Sequence, residues 1–134
     1  MTDYMKKVIS QAQESGIAFD SPEDDCLRII FPGKNAESIA VDIYFSETEN
    51  NVVELICFGI AAFADDRLQN GLVLCNELNR KNKWVKFCLD SDNDLLCKID
   101  LFVKEGSCGE ECICLARRMA GLVDDHYPDI LQAM

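Results

Sequence analysis

The segment from Glu37 to Phe45 ("ESIAVDIYF") constrains the fold more than any other part of the chain. Apolar side chains alternate along it with smaller or more polar ones, which places two kinds of residue on opposite faces of an extended strand. The residues of the apolar face are Ile39, Val41, Ile43 and Phe45. This alternation predicts a strand in a sheet that is buried on one face only.

Four further strands are predicted by similar patterns, at 26–31, 52–60, 83–90 and 95–103. The run 17–19 is also strand-like, but it is too short to count as an element. Helical spacing of apolar residues predicts three helices, at 2–15, from Asp65 or Asp66 to about Lys81, and from Ser107 to about Asp125. Between the strands 37–45 and 52–60, the polar residues 46–51 predict a turn.

Capping residues mark the ends of these helices. We expect Thr2 to cap the first helix and Gly16 to end it. An aspartate, Asp65 or Asp66, caps the second. Ser107 and Glu110 form a capping box at the third helix, which Pro128 prevents from continuing far.

The predicted element order is αβββαββα. Because short turns join most of the strands, we expect a largely antiparallel five-stranded sheet. Helices covering one face would give a two-layer α+β fold. A chain of 134 residues is expected to form a single domain spanning 1–134.

Charge excludes some classes of partner. The chain has 24 acidic and 13 basic residues, a net charge of −11, which disfavours nucleic acid and anionic lipid because both attract cations. The longest apolar stretch, 55–64, is ten residues, about half a membrane span. With no signal-peptide pattern, we expect a cytoplasmic protein whose eight cysteines stay reduced.

Three groups of residues were considered for chemistry. Asp90, Asp92 and Asp94 resemble the start of a calcium loop, but leucines stand where such a loop needs Gly and Glu. The cysteines at 108, 112 and 114 cannot converge on one metal from a helix. His126 has no nucleophile motif beside it. We therefore predict no catalytic, cofactor or metal residues, and no enzyme.

An interaction surface is the more promising feature. Several large apolar residues fall on the sheet face that points away from the helices, and exposed apolar patches usually mark partner surfaces. The candidate binding residues are Ile56, Phe58, Trp84 and Phe102. The alternative is that a helix or loop covers these residues and they serve internal packing.

Four cations, Arg80, Lys81, Lys83 and Lys86, form a basic island in this acidic chain within "NELNRKNKWVKF" (76–87). The segment is predicted to join a helix end to a strand start, where cations favour the helix C-terminus. We expect Lys86 to pair across the hairpin with Asp100, because the neighbouring register would oppose it to Lys98.

The stretch "LCNELNRKNKWVKFCLDSDNDLLCKIDLFV" (74–103) and the closing "LVDDHYPDIL" (122–131) resemble the YbjN-like family of bacterial proteins. This resemblance implies a sensory-transduction regulator and a fold similar to class I type III secretion chaperones, which are small acidic dimers that bind protein segments. It brings no catalytic motif.

Two functional hypotheses follow. The first is a non-enzymatic protein-binding module, chaperone-like or regulatory, that acts as a homodimer and binds a protein or peptide through its outer sheet face or an edge strand. The second is a small-molecule or metal-ion sensor, or a weak enzyme, that uses Asp90, Asp92 and Asp94 or the cysteines.

Overall fold

The computed structural model describes residues 1–46, 48 and 51–134, so part of the predicted turn at 46–51 lies outside the described residues. The helices are α1 (Asp3–Glu14), α2 (Leu68–Lys81) and α3 (Cys108–Ala133). The strands are β1 (Phe19–Glu23), β2 (Cys26–Pro32), β3 (Ser38–Phe45), β4 (Val52–Ala62), β5 (Lys86–Leu89) and β6 (Asp94–Phe102).

The strands form one six-stranded sheet in the order β1-β2-β3-β4-β6-β5, and each neighbouring pair is antiparallel. This confirms the predicted α+β fold, although the sheet has six strands and the prediction had five. The additional strand, β1, reads "FDSPE" and is mostly exposed, so no alternation of apolar residues marks it. It exists because it pairs with β2, where Asp20 lies opposite Arg28.

The three helices lie on one side of the sheet, which we call the inner face. α3 packs across β2, β3 and β4, α1 packs on α3, and α2 packs on β5. The strand residues of this core alternate as the sequence predicts, and they include Leu27, Ile29, Val41, Ile43, Val53, Leu55, Phe87 and Leu95. The opposite side of the sheet, the outer face, is left without a helical layer among the described residues.

Helix starts were predicted with mixed success. The Thr2 hydroxyl accepts a hydrogen bond from the Met5 amide, and Gly16, with φ of +67°, follows the end of α1, so both predictions are confirmed. The aspartate cap of α2 is wrong, because a 3-10 turn over Asp65–Arg67 precedes Leu68. Ser107 does stand at the N-cap of α3. Its hydroxyl contacts the Glu111 carboxylate, so the predicted capping box with Glu110 does not form.

The predicted end of α3 near Asp125 is also wrong, since the helix continues through Pro128 to Ala133. Proline has no amide hydrogen, so the carbonyl four residues earlier, that of Asp124, loses its helical partner. The side-chain amide of Asn35 donates to this carbonyl oxygen at 2.9 Å. A residue from the β2–β3 loop therefore supplies the hydrogen bond that Pro128 cannot.

The Asp124 side chain completes this connection between α3 and the β2–β3 loop. Its carboxylate accepts hydrogen bonds of 2.9 Å from the backbone amides of Lys34, Asn35 and Ala36. A Cβ at Gly33 would collide with the Ala36 carbonyl and lie 2.6 Å from the carboxylate, so the tight approach requires glycine. We call this set of contacts the loop–helix clasp.

The predicted register of the β5–β6 hairpin is wrong, because Lys86 lies opposite Lys98 and not Asp100. The turn decides this. Residues 91–93 form a three-residue loop with Asn93 in the left-handed region (φ 63°), and the Asp90 carboxylate accepts from the amides of Asp92 and Asp94. The free energy lost by placing the two lysines opposite each other near the surface is smaller than the free energy that such a turn contributes. The charge of Lys98 is also balanced by the Glu54 carboxylate, which lies 3.1 Å from its ammonium group.

The clasp predicts a coupling between Asn35 and Pro128. Replacing Asn35 with Ala leaves the Asp124 carbonyl without a donor and should lower the free energy of unfolding by about 1 kcal/mol. In a Pro128→Ala background, the new amide hydrogen can serve that carbonyl, so the same replacement should cost less than half as much. Denaturant unfolding of the wild type, the two single variants and the double variant completes this double-mutant cycle. If Asn35→Ala lowers the free energy of unfolding equally with and without Pro128, then Asn35 does not take the place of the hydrogen bond that Pro128 cannot donate.

The clasp also predicts a dependence of stability on pH. The three backbone hydrogen bonds lower the pKa of Asp124 below its ordinary value. The unfolded state therefore binds a proton more readily than the folded state, and stability rises with pH in this range. The contribution of Asp124 is complete above its ordinary pKa of about 4 and is lost as the pH falls through the lower folded value.

We thus expect unfolding experiments between about pH 6 and about pH 3 to show a steeper loss of stability for the wild type than for Asp124→Asn. Asp125→Asn, an exposed neighbour, serves as the control and should keep the wild-type slope. Parallel pH profiles for wild type and Asp124→Asn would exclude this role of the carboxylate.

Candidate protein-binding face

The outer face carries large apolar side chains that remain exposed. Phe102 is 82% exposed and Phe58 is 48% exposed, and Ile30 is also exposed on the neighbouring part of the sheet. Side chains of this size stabilise a protein only when they are removed from water, by about 1.5–3 kcal/mol each. A sheet face that keeps them in water is therefore a candidate interface.

An irregularity in β4 brings Phe58 to the surface. The pairing of β3 with β4 ends at Asp42 and Ile56, and the register of β4 with β6 shifts between Cys57 and Ala61. Gly59 adopts φ of +59° within this bulge. The Phe58 ring meets the Tyr44 ring edge-to-face, with 6.4 Å between centroids. Ile56, two residues earlier on the same face, is only 8% exposed.

Where β3 and β4 separate, a cleft of about 240 Å³ opens beside α3. One side of the cleft is lined by Phe58, Gly59 and Ile60 of β4, and the other side by Ser38 and Ala40 of β3. Helix α3 contributes Val123 and Tyr127 to the lining. Glu37 is its only carboxylate. This volume is smaller than that of a typical small-molecule pocket.

Ion pairs hold the polar part of the outer face. Asp42 is only 2% exposed, and both of its oxygens accept hydrogen bonds from Arg28, at 2.6 and 2.7 Å. These bonds and the charge of Asp42 raise the pKa of Arg28. On the far side of β4, hydrogen bonding to Glu54 likewise raises the pKa of Lys98. These charge-assisted hydrogen bonds fix the orientation of the charged side chains at the centre of the face.

Neither edge of the sheet is suited to accept an additional strand. At β5, the Asn79 side chain of α2 pairs with both the amide (2.7 Å) and the carbonyl (3.0 Å) of Phe87, as a neighbouring strand would. At β1, Pro22 lacks an amide hydrogen, and the register is irregular between Asp20 and Glu23. The open face, and not an edge, is therefore the better candidate for binding.

The structure does not bring the four sequence-predicted binding residues into one patch. Phe58 and Phe102 lie exposed on the outer face, and Ile56 lies on the same face but is nearly buried. Trp84 precedes β5 and packs against the core, with the Arg118 guanidinium of α3 5.9 Å above its ring. Because α3 covers the inner face, Trp84 belongs to the helical side and is not opposite Phe102.

Sequence reasoning missed Ile30 and the Arg28–Asp42 pair. Ile30 follows a buried residue in β2, so the same alternation that identified β3 would have placed it on the outer face. The ion pair had no such signal, because its partners are 14 residues apart and meet only through the β2–β3 register.

Among the residues of the sensor hypothesis, Asp90 and the buried cysteines serve the fold. Asp90 binds the backbone of its own turn, and no cluster of three metal-ligating side chains occurs in the described part of the chain. Burial raises the pKa of Cys57 and of Cys112 to about 12, and that of Cys26 and of Cys75 to about 11. These thiols are therefore protonated at neutral pH and poor nucleophiles or ligands.

His126 lies inside α3 and also has a structural environment. The Asn82 amide nitrogen donates to the Leu78 carbonyl and contacts His126 Nε2 at 3.0 Å. The imidazole ring packs edge-to-face on Phe87. Asn79 and Asn82 of the basic island thus join α2, β5 and α3, whereas the island's four cations take no part in an ion pair among the described residues.

None of the helices, over the residues described, is long and apolar enough to span a membrane.

Comparisons with known proteins agree with this architecture. The crystal structure of "YbjN, a putative transcription regulator from E. coli" superposes with a TM-score of 0.62 over 93% of this chain and 92% of that one. At 12% identity, this likeness shows the fold alone. No curated protein matches the chain. A family profile described as "Putative bacterial sensory transduction regulator" matches residues 6–132. The chain therefore belongs to the YbjN family.

Proposed function

We propose that this protein is a non-enzymatic, cytoplasmic regulator that acts by binding protein and that forms a homodimer through the outer face of its sheet. The observation that carries the proposal is the open outer face, on which Phe58 and Phe102 remain exposed while both sheet edges are poorly suited to pair with another strand. The family description, which names a regulator and no reaction, supports the non-enzymatic part.

The net charge of −11 supports protein as the partner. Binding to DNA or RNA depends on cations that replace the counterions of the phosphates, and the outer face carries aspartate and glutamate as well as lysine and arginine. The E. coli neighbour is titled a transcription regulator. In the present proposal, any regulation by this chain passes through contact with protein.

Chaperone-like activity, which the resemblance to secretion chaperones implies, is a narrower form of the proposal. It requires that a segment of another protein bind this chain, and β1 and β5 are poorly suited to pair with one. The sensor hypothesis has no supporting observation among the described residues, because Asp90 and the buried thiols serve the fold.

The proposal predicts that the outer face controls the oligomeric state. The wild type should sediment at twice its chain mass of 15.1 kDa, and Phe58→Lys/Phe102→Lys should weaken the dimer about a hundredfold or more, since two apolar side chains lose their burial in each copy. Val73→Lys is a matched control, because Val73 is also 48% exposed but lies on α2 in the helical layer. It should remain dimeric.

Analytical ultracentrifugation over a range of concentrations measures both results. A wild type that stays monomeric at every concentration, or an outer-face variant that dimerises as well as the wild type, would overturn the proposal.

The turn at Asp90 predicts the outcome for the sensor hypothesis. If Asp90 is a turn residue, Asp90→Ala should lower the free energy of unfolding by about 1 kcal/mol with or without calcium, because two backbone amides lose their acceptor. Calcium should not raise the wild-type melting temperature beyond the effect of a magnesium control at equal ionic strength. A calcium-specific rise that Asp90→Ala abolishes would instead favour the sensor hypothesis.

A further inference from the structure

One row of outer-face residues crosses all six strands. The registers place directly opposite one another, from the β1 edge to the β5 edge, Asp20, Arg28, Asp42, Ile56, Lys98 and Lys86. The row is thus negative at one edge of the sheet, has an apolar residue near its middle and is positive at the other edge.

The inner charges of this row are paired within the chain, but the outermost charges are not. Arg28 binds Asp42, and Lys98 binds Glu54. The Asp20 carboxylate accepts a hydrogen bond from the Ser21 amide, and the Lys86 ammonium contacts the Asn82 carbonyl at 3.4 Å. Neither residue has an ion-pair partner in the part of the chain that the structure describes, and Lys86 even lies opposite Lys98.

The neighbouring residues enlarge this separation of charge. Glu23, Asp24 and Asp25 follow Asp20 at the β1 edge. Lys83 precedes Lys86 at the β5 edge, where Lys98 is the neighbouring cation of the row. A single open face therefore has an acidic edge and a basic edge on either side of Tyr44, Ile56 and Phe58.

We propose that the partner on this face is a second copy of the chain, related by a two-fold axis parallel to the strands, so that Lys86 binds Asp20 of the partner subunit. This inference rests on the proposed function, which places the dimer interface on the outer face. It adds which residues meet and in which orientation.

Symmetry gives the reason for this orientation. A two-fold axis along the strands reverses the strand order of the facing sheet, so that β5 lies over β1 of the partner subunit and β4 over its β3. The outermost residues of the row, Lys86 and Asp20, then meet twice with opposite charge. Arg28 faces Lys98 of the partner subunit, but each of these cations is already paired within its own chain, with Asp42 and Glu54. A two-fold axis across the strands would instead place each edge over its own copy, with lysine facing lysine and aspartate facing aspartate, which is unfavourable.

The same orientation suits the apolar middle of the face. Phe58 on β4 would lie over β3 of the partner subunit, whose outer-face residues include Ala40 and Tyr44. Two sheets that face each other with nearly aligned strands pack in the manner of a β-sandwich, about 10 Å apart. The apolar centre would then contribute most of the affinity, and the paired edges would set the orientation.

A charge exchange tests the inference. Lys86→Glu and Asp20→Lys should each weaken dimerisation about tenfold, because each variant replaces two attractive contacts by two repulsive ones. An equimolar mixture of the two variants should regain nearly the wild-type affinity, since the mixed dimer has one native and one reversed ion pair. The double variant Asp20→Lys/Lys86→Glu should regain it as well.

Lys81→Glu is the control, because it makes the same change of charge in the basic island at the exposed end of α2, outside the outer-face row. It should alter the dissociation constant by less than twofold. Sedimentation at low ionic strength measures all of the constants, and circular dichroism checks that each variant folds.

Recovery of affinity in the mixture and in the double variant supports the proposed orientation. If Phe58→Lys/Phe102→Lys separates the dimer but the charge exchange restores nothing, the outer face remains the interface and this orientation is overturned. If the wild type is monomeric throughout, the proposed function and the inference both fail.

Discussion

The loop–helix clasp is the contact on which the arrangement of layers depends. Asp124 accepts three backbone hydrogen bonds from the β2–β3 loop, and Asn35 returns one to the Asp124 carbonyl that Pro128 leaves without a donor. With that carbonyl satisfied, α3 continues for another five residues beyond the proline and buries Ile130. The continuous helix crosses β2, β3 and β4 on one side of the sheet, the side on which α1 and α2 also pack, and no described helix covers the opposite side.

Both edges of the sheet are poorly suited to strand pairing, whereas its outer face is open over the residues that the structure describes. Asn79 occupies the backbone groups of Phe87 at one edge, and Pro22 with its irregular register disfavours pairing at the other. Addition of a foreign strand is therefore a poor explanation for the exposed apolar residues. We therefore propose contact across the open face, where the placement of charges suits a second copy of the chain.

The basic island has two components with different roles. Its asparagines are structural, because Asn79 and Asn82 bind β5, α2 and His126 through their side-chain amides. Its cations are exposed and contribute no ion pair among the described residues, and Lys86 stands opposite Lys98 where repulsion is expected. Such an arrangement is easier to understand if an anionic partner approaches Lys86 from outside the chain.

The amino-acid sequence by itself determined the number of helices, five of the six strands, their antiparallel pairing and the inner-face residues, because alternation and turn residues are local properties of the chain. Tertiary structure alone decided the existence of β1, the continuation of α3 through Pro128 and the position of Trp84 on the helical side. The last two depend on partners distant in sequence, Asn35 for Pro128 and Arg118 for Trp84, whereas β1 depends on its pairing with the adjacent strand β2. The outer face also combines a local and a tertiary contribution. The local alternation of residues places Phe58 and Phe102 on this face, but they remain exposed because the three helices pack on the other side of the sheet.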